Sequence, residues 1–284
     1  MRKHLPEVLS IAEANKIKET IVVDDASTDN SVEIVKENFP QVKLLEKNKN
    51  TGFGSNVNLG VKNSTGNLIV LLNSDASLDK DFLKYALPYF NNEKVFSVSL
   101  NAGGYWSWAK FEKGFFRHYQ ADRPRNDSLQ FHQTLWASGG SAIFRRSIWD
   151  ELGGLDPLYD PFYVEDVDLG YRATKRGYIN IWEPKARVEH YTEKGVIETH
   201  FSHDRVSATA ERNQLIFTWK NITDTVLFRQ HLLGLLGRLM KHPKYWSIFL
   251  AALVRLPQII HERNNEKKYA KLTDKEILTS FSAP

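Results

Sequence analysis

Apolar and polar positions along residues 1–100 follow a pattern that predicts strands and helices in alternation. Short apolar runs end in polar or acidic residues, and the segments between them repeat apolar positions at helical spacing. The runs predict strands over residues 21–23, 42–45, 68–72 and 95–100. The intervening segments predict helices over residues 5–16, 31–38, 55–62 and 79–90. Strands that alternate with helices favour an α/β fold with a mainly parallel sheet and right-handed crossovers.

The second half of the chain is less uniform. Residues 101–135 show no clear period and predict an irregular excursion. Further strands are expected at residues 136–144 and 178–182, and helices at 147–152, 167–176 and 205–221. These changes predict a domain over residues 1–220 and a helical extension over residues 221–284.

The extension is strongly apolar and basic. Residues 225–270 contain eight Lys or Arg and two acidic residues. Basic amphipathic helices that lie on an anionic membrane surface have this composition. Helices that pack against the preceding domain are the alternative, and composition alone leaves both open.

Composition excludes several kinds of protein. The 284 residues include no cysteine, which excludes disulfides, zinc–thiolate sites and cysteine nucleophiles. The net charge is only +4, and no dense basic stripe with aromatic residues occurs before residue 220, so no nucleic-acid partner is expected. No signal peptide and no uninterrupted apolar run of membrane-spanning length is visible, and we expect a cytoplasmic protein.

Acidic residues follow three of the apolar runs. Asp24 and Asp25 follow the first run, Asp75 follows Asn73 and Ser74 after the third, and Glu165 and Asp166 follow a later one. Parallel strands present their carboxyl ends at one edge of a sheet, where open α/β sheets bind ligands. We therefore expect a site at this edge for a metal, a phosphorylated ligand and a proton.

Each acidic residue also has a structural interpretation. Asp24 or Asp25 can bind a nucleotide, or can form a turn while Ser27 caps the next helix. Asp75 can ligate Mg²⁺ or Mn²⁺ beside a phosphate, or can cap a helix.

The later acidic cluster offers a general base. Glu165 and Asp166 are expected at a helix start, where the helix dipole favours anions and a carboxylate can take a proton from a hydroxyl. Asp168 can pair with Arg172, four residues on. His190 is either structural or a metal ligand.

Two glycine-containing segments complete the candidate site. Asn50 and Gly52 belong to a loop that leads into a helix containing Asn58, and backbone amides at a helix start can face a phosphate. An ordinary loop that needs glycine for its dihedral angles is the alternative. Gly139 and Gly140 are small residues near the start of the strand expected over residues 136–144.

In this order, the motifs resemble the family 2 glycosyltransferases with the GT-A (Rossmann-like) fold, and especially their rhamnosyltransferase-like branch. The resemblance covers roughly residues 5–220. Its motifs are Ile21–Asp29, Asn50–Gly52 with Asn58–Gly60, Leu71–Asp75, Gly139–Arg146, Gly153–Asp156, Glu165–Arg172 and His190.

The resemblance implies a role for each residue. Asp24 or Asp25 would contact the nucleotide, and Asp75 and His190 would hold Mg²⁺ or Mn²⁺ on the donor diphosphate. Asp166, beside Glu165, would deprotonate the acceptor in one inverting displacement. The other implied contacts are Asn50, Gly52, Asn58 and Ser74 to the nucleotide, and Gly139 and Gly140 to the sugar or acceptor.

The resemblance also implies substrates and a location. The donor would be a UDP-, dTDP- or GDP-linked sugar, and the acceptor a glycan or lipid-linked hydroxyl in cell-surface polysaccharide synthesis. The absence of the Gln-x-x-Arg-Trp motif of processive synthases predicts transfer of a single sugar. The implied lipid-linked acceptor and the basic extension together predict a peripheral protein at the inner face of the cell membrane.

Two departures from the family pattern allow other functions. The hydrophobic strand with which members begin is not found before the helix at residues 5–16, and Asn73 stands where many members carry aspartate. Truncation, a mis-assigned start or a true loss would each explain the strand's absence. A degenerate, non-catalytic family member that acts as a binding or assembly subunit is the alternative function. A nucleotidyltransferase is disfavoured because its Gly-rich, basic N-terminal signature is missing.

Overall fold

The computed structural model of the chain describes residues 2–121, 130–190 and 196–282. Its strands are β1 (Ile21–Asp24), β2 (Lys43–Glu46), β3 (Leu68–Leu72), β4 (Ala76–Leu78), β5 (Val95–Asn101), β6 (Ser107–Glu112), β7 (Phe115–Gln120), β8 (His132–Gln133), β9 (Ser141–Arg145) and β10 (Ile179–His190). Its helices are α1 (Leu5–Ala14), α2 (Ser31–Asn38), α3 (Phe53–Lys62), α4 (Phe82–Ala86), α5 (Arg146–Leu152), α6 (Glu165–Lys175), α7 (Val196–His200), α8 (His203–Asn221), α9 (Thr225–Lys241), α10 (Tyr245–Leu253), α11 (Leu256–Tyr269) and α12 (Asp274–Ser280).

The described strands form three sheets. The largest has the order β3-β9-β5-β10-β4, with β8 also paired to β10. Strands β1 and β2 form a parallel pair, and β6 and β7 form an antiparallel hairpin. The expected α/β fold is therefore present, with helices packed against a central sheet.

The central sheet is mixed, whereas the sequence predicted a mainly parallel one. Strand β5 runs parallel to β10, but β9 lies antiparallel between β3 and β5. The chain makes a long excursion after β5 and returns in the opposite direction, so β9 joins the sheet without the helical crossover that a parallel strand requires.

Four local predictions differ from the structure. The strand expected over residues 178–182 continues to His190. The strand expected over residues 136–144 begins only at Ser141, because Gly139 and Gly140 turn beside Asn73. The helix expected over residues 79–90 ends at Ala86 and continues as a 3-10 turn containing Pro88, whose missing N–H cannot extend an α-helix. The excursion over residues 101–135 contains the regular hairpin of β6 and β7.

The central sheet has an apolar core on each face. One core packs α1 and α4 against the sheet through residues such as Ile11, Phe82 and Val98. The other includes Phe144, Trp149 and Leu169 from β9, α5 and α6. These layers fix the N-terminus of α6 beside the carboxyl end of β3.

A further core joins the C-terminal helices to the rest of the chain. Leu235, Tyr245 and Ile277 share it with Phe116 and Phe217. The division between residues 1–220 and 221–284, which falls at the end of α8, stays a prediction. Among the described residues, no helix is long and apolar enough to cross a membrane.

Strands β1 and β3 each pair on one side only. Strand β1 pairs with β2 and β3 pairs with β9, and no other strand in the described ranges pairs with either. Asn56 of α3 donates to the backbone oxygen of Val23 at 3.1 Å and so satisfies one group of β1. The other edge of β1 and of β3 is therefore open among the described strands, and the missing first strand stays a prediction.

Candidate active site

A cleft of about 760 Å³ brings the three acidic segments together. The ends of β1 and β3, the loop before α3 and the N-terminus of α6 all line it. The sequence-predicted residues in its wall are Asp24, Asp25, Asn50, Gly52, Ser74, Asp75, Gly139, Gly140, Glu165 and Asp166. This volume is typical of small-molecule sites, which span roughly 300–1,000 Å³.

Asp24 and Asp25 accept different hydrogen bonds at the end of β1. Asp24 accepts a hydrogen bond from the Ser27 N–H at 3.1 Å, so it forms a turn while it also lines the cleft. Asp25 accepts from the N–H groups of Thr51 and Gly52 at 3.1 and 2.9 Å. Its carboxylate therefore holds the glycine loop against the end of β1.

The glycine loop packs tightly against the segment before α6. Gly52 has φ 98°, and a Cβ there would lie 2.6 Å from the Pro161 Cα. The Phe53 N–H donates to the Pro161 oxygen at 2.9 Å. Only glycine allows both this dihedral angle and this approach, so Gly52 shapes the floor of the cleft.

Asn58, predicted to contact the nucleotide, does not line the cleft. Its Nδ2 donates to the Leu155 oxygen at 2.6 Å, and its Oδ1 accepts from the Leu155 N–H at 3.0 Å. Both ends of its amide are thus bound to one backbone residue. The sequence prediction for Asn58 is therefore corrected to a structural role, joining α3 to the segment after α5.

Gly139 and Gly140 let the wall of the cleft approach two site residues. A Cβ on Gly140 would lie 2.3 Å from the Asn73 Nδ2, and one on Gly139 would lie 3.0 Å from the Phe53 ring. The Gly139 N–H donates to the Asp166 Oδ2 at 3.3 Å. The pair of glycines therefore joins the ends of β3 and α6.

Asp166 and Glu165 begin α6 in surroundings that resist negative charge. Burial raises the pKa of Asp166, and the N–H groups of Gly139 and Val167 oppose this only in part. Burial, and after it the charge of Asp166, raise the pKa of Glu165 to about 8. The Glu165 Oε2 is buried and has no hydrogen-bond partner in the described part of the chain. Carboxyl groups with raised pKa values can exchange protons near neutral pH.

The backbone just before Glu165 is strained. Tyr163 and Val164 have φ values of 73° and 78°, a region that a β-branched residue such as Val rarely adopts. Such strain persists where surrounding contacts impose it, and it is concentrated at functional sites.

Asn213 of α8 supplies contacts that hold this strained segment, and no role was predicted for it from the sequence. Its fully buried side chain donates to the carbonyl oxygens of Tyr159, Phe162 and Tyr163 at 2.6, 2.9 and 2.8 Å. The spacing of polar residues in α8 is the signal that could have indicated such a role. Asn213, Lys220 and Asn221 share one helical face, at positions i, i+7 and i+8. Polar faces are usually exposed, but this one is buried.

A buried charge cluster fixes the inner side of α6. Asp168 pairs with Arg172 at 2.7 Å, which confirms the predicted i, i+4 pair, and with Lys220 of α8 at 3.0 Å. Tyr159 and Asn221 also donate to Asp168, both at 2.7 Å. Burial alone would raise the pKa of Asp168, but the two cations outweigh it and hold that pKa well below its usual range.

The end of β3 offers oxygen ligands for a divalent metal. Asp75 lies in the wall of the cleft beside Ser74. The backbone of His190 pairs with Ala76 across β10 and β4, while the His190 side chain lies outside what the structure describes. Within the described residues, no group of three or more His, Asp or Glu side chains is clustered to hold a metal. This donor set suits Mg²⁺ or Mn²⁺ that takes its remaining ligands from phosphate and water.

The family model described as glycosyl transferase family 2 matches residues 3–153. The match covers more than half of the chain, and the chain belongs to this family.

Among curated relatives, the chain is similar to an N-acetylglucosaminyl-diphospho-decaprenol L-rhamnosyltransferase of Mycobacterium tuberculosis, with 43% identity over 56 residues. That match covers 20% of this chain and 18% of the relative. It is also similar to glycosyltransferase GlyA of Streptococcus pneumoniae, with 29% identity over 43% of this chain and 17% of the relative. The chain thus matches less than a fifth of the length of either relative, and the rhamnosyltransferase-like resemblance is confirmed.

Solved structures share the fold at low identity. GalNAc-T7 with UDP, GalNAc and Mn²⁺ superposes with a TM-score of 0.61 and 12% identity, over 85% of this chain and 53% of that one. TarS 1-349 of S. aureus in complex with UDP-GlcNAc superposes with a TM-score of 0.53 and 15% identity, over 94% of this chain and 78% of that one. These likenesses confirm the GT-A fold.

Proposed function

We propose that the protein is a non-processive, inverting, metal-dependent glycosyltransferase. It moves one sugar from a nucleoside diphosphate to a hydroxyl of a glycan or lipid-linked acceptor. The observation that carries this proposal is that Asp24, Asp75 and Asp166, which lie far apart in the sequence, line one cleft. Family membership supports the same reaction.

Asp166 is the proposed base. The acceptor hydroxyl oxygen attacks the anomeric carbon as its proton passes to the Asp166 carboxylate. The bond from the anomeric carbon to the diphosphate breaks, and the nucleoside diphosphate leaves with the electron pair. One displacement inverts the anomeric configuration. The Gly139 N–H, 3.3 Å from the Asp166 Oδ2, helps to orient this carboxylate.

The donor would lie between the ends of β1 and β3. Asp24 is available to the base or ribose, while Asp25 acts through the glycine loop that it holds. Asn50, Gly52 and Ser74 line the same part of the cleft. UDP-, dTDP- and GDP-sugars remain the candidate donors, and similar folds occur with UDP-GlcNAc and with GDP-Man.

Asp75 and His190 are the proposed ligands of Mg²⁺ or Mn²⁺. A metal bound there supplies positive charge that stabilises the leaving diphosphate. Structures of the same fold that contain Mn²⁺ support this use of a divalent metal.

A membrane surface is the proposed location of the acceptor. Eleven of the fourteen exposed large hydrophobic residues in the described ranges lie between residues 226 and 269, among them Leu233, Met240 and Val254. Exposed bases lie beside them, among them Arg229 on α9 and Lys244 in the turn before α10. An apolar surface with basic neighbours suits anionic lipid, which supports a peripheral position at the inner face of the cell membrane.

Three of the eight bases in this region serve the fold instead. Arg238 pairs with Glu211 at 2.8 Å, while Arg255 and Arg263 donate to the backbone oxygens of Leu158 and Trp219 at 2.7 and 2.6 Å. The membrane proposal therefore rests on the bases and apolar side chains that are exposed. One face of these helices packs against the preceding domain, and the other is the proposed membrane surface.

Calorimetric titration with UDP, dTDP and GDP, each with and without Mn²⁺, tests the proposal. We expect one nucleotide to bind at least about tenfold more tightly with Mn²⁺, because phosphate oxygens complete the metal's coordination. Asp75→Asn should remove this gain, and Glu93→Gln, a change to an exposed carboxylate before β5, should leave it intact. If a folded chain binds none of the three with Mn²⁺, the proposal is wrong and the non-catalytic alternative is favoured.

A further inference from the structure

A second cavity of about 530 Å³ lies on the other side of Asp166. Strand β7, the start of α6 and the first half of α8 line it. It shares only Asp166 and Tyr163 with the cleft described above. The proposed base therefore stands in the wall between two cavities, each large enough for a small ligand.

The second cavity combines aromatic faces with buried polar groups. Trp136, Tyr119 and Tyr163 line it, and Tyr119 stacks on Trp108 with ring centroids 4.5 Å apart. Aromatic rings offer apolar faces to the C–H surfaces of a ligand. Such faces fit a flat or ring-shaped molecule.

Polar atoms in the same wall are buried and poorly satisfied. The His118 Nδ1, the Glu211 Oε2 and the Gln214 Nε2 make no hydrogen bond of good geometry in the described part of the chain, although Gln214 interacts with His118 and Tyr245 with Glu211. Burial lowers the pKa of His118, which keeps its ring neutral and able both to donate and to accept. Buried polar groups are normally satisfied, so donors and acceptors together in one wall favour an occupant that carries hydroxyl groups.

Strand β7, which forms one wall of the cavity, is held in place by contacts of its hairpin with the C-terminal helices. Gly114, in the turn before β7, meets Gly234 of α9 so closely that a Cβ on Gly114 would lie 2.5 Å from the Gln230 oxygen. The Trp219 Nε1–H donates to the His231 Nε2 at 2.9 Å, so the His231 Nδ1–H is the group that donates to the Gly114 oxygen at 2.7 Å. These contacts tie the hairpin to α8 and α9.

We infer that the second cavity binds the acceptor sugar, with its nucleophilic hydroxyl directed at Asp166. The inference rests on the proposed function and adds to it the place and chemical class of the acceptor. The ring packs on Tyr119 and Trp136, and its other hydroxyls meet His118, Glu211 and Gln214. The hydroxyl proton goes to Asp166, its oxygen bonds to the anomeric carbon in the first cleft, and the nucleoside diphosphate departs with the electron pair.

The wall of the cavity contacts one of the C-terminal helices. Glu211, in its wall, pairs with Arg238 of α9 at 2.8 Å. Leu233 and Met240, both strongly exposed, belong to the same helix. One wall of the cavity is therefore joined to the helix that carries part of the exposed apolar surface.

The test fills the cavity without altering the first cleft. Ala210→Trp places a large ring in the cavity, and Ala208→Trp, on the exposed side of the same helix, is the matched control. The acceptor probe is N-acetylglucosamine diphosphate on a farnesyl chain, measured by saturation-transfer NMR and in a transfer assay with the nucleotide sugar whose nucleotide the chain binds.

We expect Ala210→Trp to weaken probe binding and raise its KM by at least about tenfold, with unchanged nucleotide affinity, because the obstruction affects only one substrate. Ala208→Trp should behave as the unchanged protein. If Ala210→Trp does not fold, Ser207→Trp at the exposed rim replaces it. Probe binding and KM that survive the filled cavity overturn the inference. If the unchanged protein binds the probe but turns over no nucleotide sugar, the proposed reaction is wrong. Probe binding by Ala210→Trp, compared with the unchanged protein, then still tests whether the cavity binds the acceptor.

Discussion

The Asn213 side-chain nitrogen donates to the Tyr163 carbonyl oxygen at 2.8 Å, which ties the middle of α8 to the residue three positions before Asp166. The same nitrogen lies 2.6 Å from the Tyr159 oxygen and 2.9 Å from the Phe162 oxygen. Because Tyr163 has a φ of 73°, this contact helps to hold a conformation that the segment would not adopt alone. Asn213 is therefore a positioning residue for the proposed base.

Replacing Asn213 with alanine should lower both stability and turnover. Two buried carbonyl groups and one half-buried carbonyl group lose their donor, which we expect to cost about 2–3 kcal/mol in the free energy of unfolding. At a temperature where the variant is fully folded, kcat should fall while the KM for the nucleotide sugar changes little, since the ends of β1 and β3 are untouched. Urea unfolding and steady-state kinetics measure the two effects.

Asn264→Ala on the exposed side of α11 is the matched control for Asn213→Ala. It should change neither quantity appreciably. A folded Asn213→Ala protein with unchanged kcat would show that α8 does not position the base.

The sequence predicted the acidic residues of the site but not their supports. Asp24, Asp75 and Asp166 follow apolar runs, so local pattern and the geometry of strand ends were enough to bring them together. Asn213 contacts carbonyl groups some fifty residues earlier in the chain. A contact of this kind depends on how α8 packs, and spacing within α8 indicates only that a polar residue is buried.

Helices and strands with a clear hydrophobic period were predicted well from the sequence. The helix over residues 31–38 and the strand over residues 68–72 have the bounds expected from their periodicity. The hairpin of β6 and β7 was missed, although Lys113 and Gly114 form a two-residue turn with φ values of 51° and 83°. Neighbouring aromatic residues obscured the alternation, because Phe115 and Phe116 point to opposite faces of β7 and are both buried in the core that includes the C-terminal helices.

Asp166→Asn should abolish sugar transfer and keep the fold. An amide cannot accept the hydroxyl proton, whereas it can still accept a hydrogen bond from the Gly139 N–H. We expect kcat to fall by about 10²–10⁴-fold, the usual contribution of a general base. Nucleotide affinity, measured by calorimetry, should stay within about twofold, since general-base catalysis is separate from ground-state binding. A fully active variant would contradict the assignment of Asp166 as the base.

The Glu165 carboxyl group should make stability depend on pH. Its pKa is raised to about 8 in the folded chain, against an ordinary value of 4.5. Between these values the folded state binds more protons than the unfolded state, so the free energy of unfolding falls as pH rises through this window. Below it, both states are protonated and the effect disappears.

Glu165→Gln should therefore stabilise the fold at pH 9 relative to the unchanged protein, and have little effect at pH 4. The gain should be on the order of 5 kcal/mol, since the pKa difference is about 3.5 units and each unit corresponds to about 1.4 kcal/mol. Urea unfolding at the two pH values measures it, with Glu93→Gln as an exposed control. Equal stabilisation at both pH values would mean that packing, and not protonation, causes the change.

Asp168→Asn should be strongly destabilising. It leaves the Arg172 and Lys220 cations buried without their shared carboxylate, a loss expected to cost about 3–5 kcal/mol. Asp156→Asn, which removes a partly exposed partner of Lys220, provides a milder variant if the first does not fold. Glu46→Ala breaks the exposed pair with Lys36 and should cost under about 1 kcal/mol.

The same cluster predicts sensitivity to acid. The pKa of Asp168 is held well below its usual range, so its stabilising contribution is fully present above the unfolded value of 3.8 and is lost as pH falls below it. The unchanged protein should thus lose stability below about pH 4 more steeply than Asp168→Asn. Parallel acid-unfolding slopes for the two proteins would contradict the assigned role of Asp168.

Binding to anionic vesicles should depend on the outer face of α9. Leu233 and Met240 are 72% and 76% exposed, and replacing both with glutamate removes apolar surface and adds negative charge. We expect at least about a tenfold loss of co-sedimentation with vesicles of phosphatidylglycerol and phosphatidylcholine, because apolar burial and charge attraction both weaken. Leu87→Glu, at a 42% exposed position outside the extension, is the matched control and should bind normally.

Raising the salt concentration should weaken binding of the unchanged protein, since exposed charges are screened. Equal binding by the double variant would show that this face does not meet the membrane.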